Sequence, residues 1–262
     1  AVRHPSFEEL YFLDTGGVVS ASGAGPAPSR NEPPFDTPAG EGGAHGGAAG
    51  SRLAFGSFVR PDLPGAPGGD SPDRRSRGSR GGGVVSVRAD RVVLAGRVEA
   101  DGEPQLPGGL GGIGAGGSIR VEAAIGIFAP RSEVDPEAGG LLSAAGGPVA
   151  DRTATASLGA GGRIALEAPV VEPVAVDVVG SEGRESVGSA GTVFVRDGAH
   201  PNGRLLIRGG LASGKDAVTD ARRVLPTHVS AAECDPVRKP GDERPVAGSP
   251  VHRECGVVVL DG

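Results

Sequence analysis

One pattern returns four times along this chain: two small residues, a variable one, then aliphatic residues alternating with polar ones. The copies are Gly82–Ala89, Gly116–Ala123, Gly161–Ala168 and Ala190–Asp197. In each, the fourth and sixth positions are aliphatic (Val85 and Val87, Ile119 and Val121, Ile164 and Leu166, Val193 and Val195), while the fifth and seventh are mostly polar. A period of two places one face inward on a short β-strand. A shorter unit, a strand followed by glycine, interleaves with the first at Gly17–Gly23, Gly96–Gly102 and Gly140–Gly146. Between units run stretches dense in Gly, Pro, Ala and Ser, at residues 23–80, 102–117 and 146–162.

Short, uniform strands of this kind cannot bury their faces singly and must stack on copies of themselves. The expected architecture is all-β, a parallel β-helix, with glycines turning the corners through positive φ and long Gly/Pro-rich loops leaving there. An antiparallel β-sandwich is the competitor. It calls for two-residue Asn-Gly or Asp-Gly turns between strands, and only Asp101-Gly102, Asp197-Gly198, Asn202-Gly203 and Asp261-Gly262 offer them. The pattern lapses after residue 210. The expected division is therefore a repeat domain over 1–210 and a C-terminal cap or junction over 211–262, ending in the strand-like Val257–Leu260. The aromatic opening Phe7–Leu13 suits a cap at the other end.

Composition complicates this picture. The 262 residues include 48 Gly and 23 Pro, a level at which a disordered matrix protein is the default. Yet 37 % of the chain is hydrophobic and gathered into Val/Ile/Leu runs, which supports a folded core. With 3 % aromatics, no Trp and no Met, that core is aliphatic. A net charge of −6 argues against a nucleic-acid partner. No stretch approaches the roughly 18 apolar residues of a membrane span, and no basic–apolar leader opens the chain, so neither is expected. Cys234 and Cys255 suit one disulfide closing a short loop in an oxidising compartment; two buried free thiols are the alternative.

The glycine tracts at Gly40–Gly47 and Gly81–Gly83, with Gly161–Leu166 and Gly188–Val195, resemble the glycine-rich β-helix repeats of large secreted and cell-surface, adhesin-like proteins. The likeness covers residues 14–210. It implies a right-handed parallel β-helix with a structural or adhesive role outside the cell and transfers no catalytic residues.

Candidate chemistry is sparse. Gly209–Asp216 nearly spells a phosphate-binding loop, but Asp216 stands where Ser or Thr would hold magnesium. Gly112–Gly117 fits a dinucleotide fingerprint as a string, yet a strand follows where a helix N-terminus is needed. Hydrolase-elbow and zinc-site spacings are absent, as are the Asp pairs and Gly-His-Gly of pectin-degrading enzymes. Gly68–Asp73 offers two carboxylates, too few for calcium and suited to a polar turn. His45, alone among glycines, suits tight packing better than ligation. Arg74, Arg75, Arg77 and Arg80 form the basic cluster, a solvated loop or a contact for anionic glycan through guanidinium forks.

The expectation is thus a non-enzymatic extracellular module, a rigid building block of a surface protein, sheath or appendage, without cofactor or metal. Its partners would be other copies or domains of the assembly, and glycans. The alternatives are a carbohydrate-binding or polysaccharide-cleaving protein, which needs a groove lined by acids or aromatics from successive strands, and a disordered Gly/Pro-rich matrix protein.

Overall fold

The computed structural model describes residues 10–28, 32–106, 109–130, 140–150, 157–183, 188–208 and 257–261. In chain order the strands are β1 (Leu10–Leu13), β2 (Val18–Ser20), β3 (Val84–Leu94), β4 (Arg97–Glu99), β5 (Ser118–Phe128) and β6 (Leu141–Ser143). They continue with β7 (Arg163–Glu167), β8 (Val170–Val171), β9 (Ala175–Asp177), β10 (Gly191–Arg196), β11 (Arg204–Arg208) and β12 (Val257–Asp261). No helix occurs among the described residues.

The strands form two sheets. One is eight-stranded in the order β1-β3-β5-β7-β10-β11-β12, with β8 beside β5; the other is four-stranded, β2-β4-β6-β9. All pairs are parallel except β10 with β11. In-register pairing stacks equivalent repeat positions. Val85, Ile119, Ile164 and Val193 make one inward ladder, and Val87, Val121, Leu166 and Val195 the next. From the smaller sheet, Val98 and Leu142 meet them in a single core. Burying each such side chain contributes about 1.5–3 kcal/mol, which is why the repeat's fourth and sixth positions hold the sheets together.

The expected β-helix is not what these strands build. They lie in two sheets that close no solenoid, and the β10–β11 turn reverses direction. Within the glycine-rich stretches, expected as loops at corners, the tracts at 42–49, 65–69, 81–83 and 111–117 are instead buried. Among the described residues, positive φ at glycine is confined to Gly16, Gly23, Gly40, Gly50, Gly56 and Gly203, outside most of the glycine runs. The runs hydrogen-bond to one another through every third residue: Gly65 and Gly68 donate to Gly82 and Ser79, Ser79 and Gly82 to Gly112 and Ala115, and Gly112 and Ala115 to Gly69 and Ala66, at 2.8–3.0 Å. Three segments, 65–69, 79–82 and 112–115, thus bond cyclically. A three-residue period is that of polyproline II, whose N–H groups find no partner within their own segment and must donate to neighbours. Glycine is required by proximity. A Cβ on Gly82 would lie 1.8 Å from the Ala100 carbonyl oxygen, and one on Gly112 1.8 Å from that of Glu41. Corner turning needs one glycine per bend, whereas backbone-to-backbone packing needs runs of them. The runs therefore make a packed layer.

Residues 45–63 cross the outer face of the larger sheet as a strap. Phe58 and Val59 pack on Ala165, Ala190, Phe194, Leu205 and Ile207, with the Phe58 and Phe194 rings 5.7 Å apart. The proposed cap over 211–262 lies outside the described residues, except for β12, which pairs with β11.

Candidate functional site

The third position of the long repeat carries Ser118, Arg163 and Thr192 side by side, and all three are fully buried under the strap. A buried guanidinium demands hydrogen bonds. Arg163 donates through Nε to the Phe55 carbonyl at 3.0 Å, through Nη1 to Thr192 Oγ1 at 3.1 Å and through Nη2 to the His45 carbonyl at 3.4 Å. His45 Nδ1 sits 2.9 Å from the Gly116 carbonyl oxygen, and this bond sets the tautomer with the proton on Nδ1. Burial, reinforced by the Arg163 charge, lowers the His45 pKa from 6.5 to about 3. Nε2 then faces Ser118 Oγ at 3.5 Å, but the hydroxyl donates to the Leu63 carbonyl at 2.6 Å. This Ser–His contact is sealed from solvent and its hydroxyl points away from the base. It pins the strap to the sheet and is not arranged as a nucleophile.

The seventh repeat position makes the other polar ladder. Arg88, Glu122, Glu167 and Arg196 lie in register on four neighbouring strands. Glu122 pairs with Arg120 and, at 3.8 Å, with Arg88, while Glu167 accepts from Arg196 Nη1 at 3.1 Å. Just beyond, β3 and β5 shift register between Ala89 and Arg91, so that Ala123 and Gly126 on β5 face residues only two apart on β3. Such irregularities turn side chains away from the regular alternation. There a groove of about 370 Å³ opens, lined by Arg88, Asp90, Glu122, Ala124 and Glu167 together with the backbone-level Ala89 and Ala123.

The Arg cluster is divided by the fold. Arg74, at φ 57°, Arg75 and Arg77 are exposed on the 70–78 loop. Arg75 lies 3.7 Å from Asp73, whose carboxyl is held below its usual range by the Ser71 hydroxyl and the Arg75 amide. Arg80 turns aside, donating from Nε and Nη2 to the Gly25 carbonyl at 3.0 and 2.7 Å. Asp70 and Asp73 are spent on their own loop, accepting from the Gly78 amide and the Ser71 hydroxyl. Among the described residues no three His, Cys, Asp or Glu side chains come together to hold a metal ion. Gly112–Gly117 belongs to the packed glycine layer, its amides already bonded to neighbouring segments. Cys234, Cys255 and the Gly209–Asp216 stretch lie outside the described residues.

No single stretch of sequence marks the groove. Its signal was present in the aligned repeats, whose seventh positions read Arg, Glu, Glu, Arg. No described helix is long and apolar enough to cross a membrane. Compared with known proteins, the chain matches no family model, no curated protein and no solved structure.

Proposed function

We propose that this chain is a non-enzymatic structural and adhesive module of a cell-surface or secreted assembly. The observation that carries the reading is the glycine layer. Segments that would ordinarily be free loops spend their amides on one another and on the residues that follow β4 and β6, as Gly117 does on Ala100 and Gly162 on Ala144. Extended segments tied at every third residue resist bending and offer a protease little loose chain. A non-enzymatic role is supported by the sealed Ser118–His45 contact and by the pairing of Glu122 and Glu167 with arginines.

Antibody labelling of intact source cells, with attachment assays on cells lacking the chain, tests the proposal. Labelling without permeabilisation and weakened attachment or envelope integrity are expected. Labelling only after permeabilisation would overturn it.

A further inference from the structure

The charged groove on the outer sheet face is more than a solvated ladder. We propose that it binds a neutral polysaccharide chain laid across the strands, through hydroxyl hydrogen bonds to Arg88, Glu122 and Glu167. This goes beyond the structural role and does not depend on where the chain resides.

Four features carry the assignment. The groove's volume of about 370 Å³ falls in the range of small-ligand sites, about 300–1,000 Å³. Its polar groups come from equivalent positions on adjacent parallel strands, so they repeat at the roughly 4.8 Å spacing of a ladder. A linear polymer with hydroxyls at regular intervals meets such a row repeatedly, whereas a compact ligand meets it once.

Both signs of charge are also present along the lining. A polyanion would face Asp90, Glu122 and Glu167, and a polycation would face Arg88 with Arg120 and Arg196 close behind. A hydroxyl donates one hydrogen bond and accepts two, and so serves a carboxylate and a guanidinium alike. Finally, the register shift sets the small Ala124 beside the charged residues, leaving the floor open. Arg88 is 72 % exposed, with its Nε 3.8 Å from Glu122, so it is placed to close on a bound chain.

Titration calorimetry of the full chain with neutral hexasaccharides of glucose, mannose, xylose and galactose, beside hexagalacturonate, tests this. At least one neutral oligosaccharide is expected to bind, tenfold or more weakly in Arg88→Gln and in Glu167→Gln, and unchanged in Arg74→Gln/Arg75→Gln. Arg88 is largely exposed, so its variant keeps the test decisive if Glu167→Gln melts early. Binding of no neutral sugar, or binding indifferent to both groove variants, would overturn the proposal. So would binding of hexagalacturonate alone with loss in the Arg74/Arg75 variant, which would place the contact on the 70–78 loop.

Discussion

Acidification is expected to loosen this protein well above the range where carboxylates titrate, and His45 is the reason. In the unfolded chain its imidazole takes up a proton as pH falls through 6.5; in the folded protein it stays neutral down to about 3. Between those values the unfolded state binds the extra proton, so stability falls as pH falls, and above 6.5 this contribution vanishes. One pH unit is worth about 1.4 kcal/mol, so moving from pH 7 to pH 5 costs about 2 kcal/mol, a large share of a typical stability. The structural origin is specific. Nδ1 is committed to the Gly116 carbonyl, Nε2 meets the Ser118 hydroxyl only at 3.5 Å, and the Arg163 charge acts against a second proton. Urea unfolding at half-unit steps from pH 7.5 to 5, on wild type and His45→Asn, reads this out. Asn keeps a donor for Gly116 and removes the titration; other groups cancel in the difference. Parallel pH profiles for the two proteins would refute the reasoning, whatever the offset between them.

Other perturbations test the packing. Gly112→Ala places a methyl 1.8 Å from the Glu41 carbonyl oxygen and should cost about 3 kcal/mol or more, whereas Gly16→Ala, with nothing within 4 Å but φ +82°, should cost only the left-handed penalty of about 1–2 kcal/mol. Thermal melts of the two variants compare steric with conformational cost. Phe58→Ala removes a ring packed on Phe194 and should lower stability by about 3–5 kcal/mol, measured in urea; a loss under about 1 kcal/mol would mean the strap is not seated on the sheet. Burial raises the Asp101 pKa, against bonds from the Ser143 hydroxyl and Ala145 amide and with Asp177 and Glu99 nearby. Its ionised form therefore opposes folding, increasingly so as pH rises through the raised value. Asp101→Asn, whose Oδ1 still accepts both bonds, should hold or raise the melting point at pH 7, and a clear drop would show that charge-assisted bonding outweighs burial. Thiol titration of native protein should find Cys234 and Cys255 unreactive; two reactive thiols would remove the disulfide from the extracellular reading.

The strand framework was legible because alternation with a period of two is a local property. The four long units became β3, β5, β7 and β10, and the short units β2, β4 and β6. The aliphatic fourth and sixth positions became the core, since an inward methyl is buried whichever copy it stacks on. β1, β8 and β9 lie outside the repeated units, and β3 and β5 run on past their repeat units to Leu94 and Phe128.

What sequence alone determined is therefore which residues form strands and which face turns inward. Tertiary structure decided the rest. Glycine runs read equally as corners, loops or a packed layer, because a residue without a side chain reveals nothing locally about what approaches it; only the 1.8–2.1 Å clearances at Gly82, Gly112 and Gly43 show that backbones meet there. The same holds for the polar positions. Ser118, Arg163 and Thr192 alternate like exposed residues, yet a strap from residues 45–63, far away in the chain, buries them. Arg88, Glu122 and Glu167 become neighbours only through parallel register, which brings together groups 34 and 45 residues apart in sequence. Alternation specifies a face, but what covers that face, or leaves it open as a groove, depends on long-range pairing that no local pattern encodes.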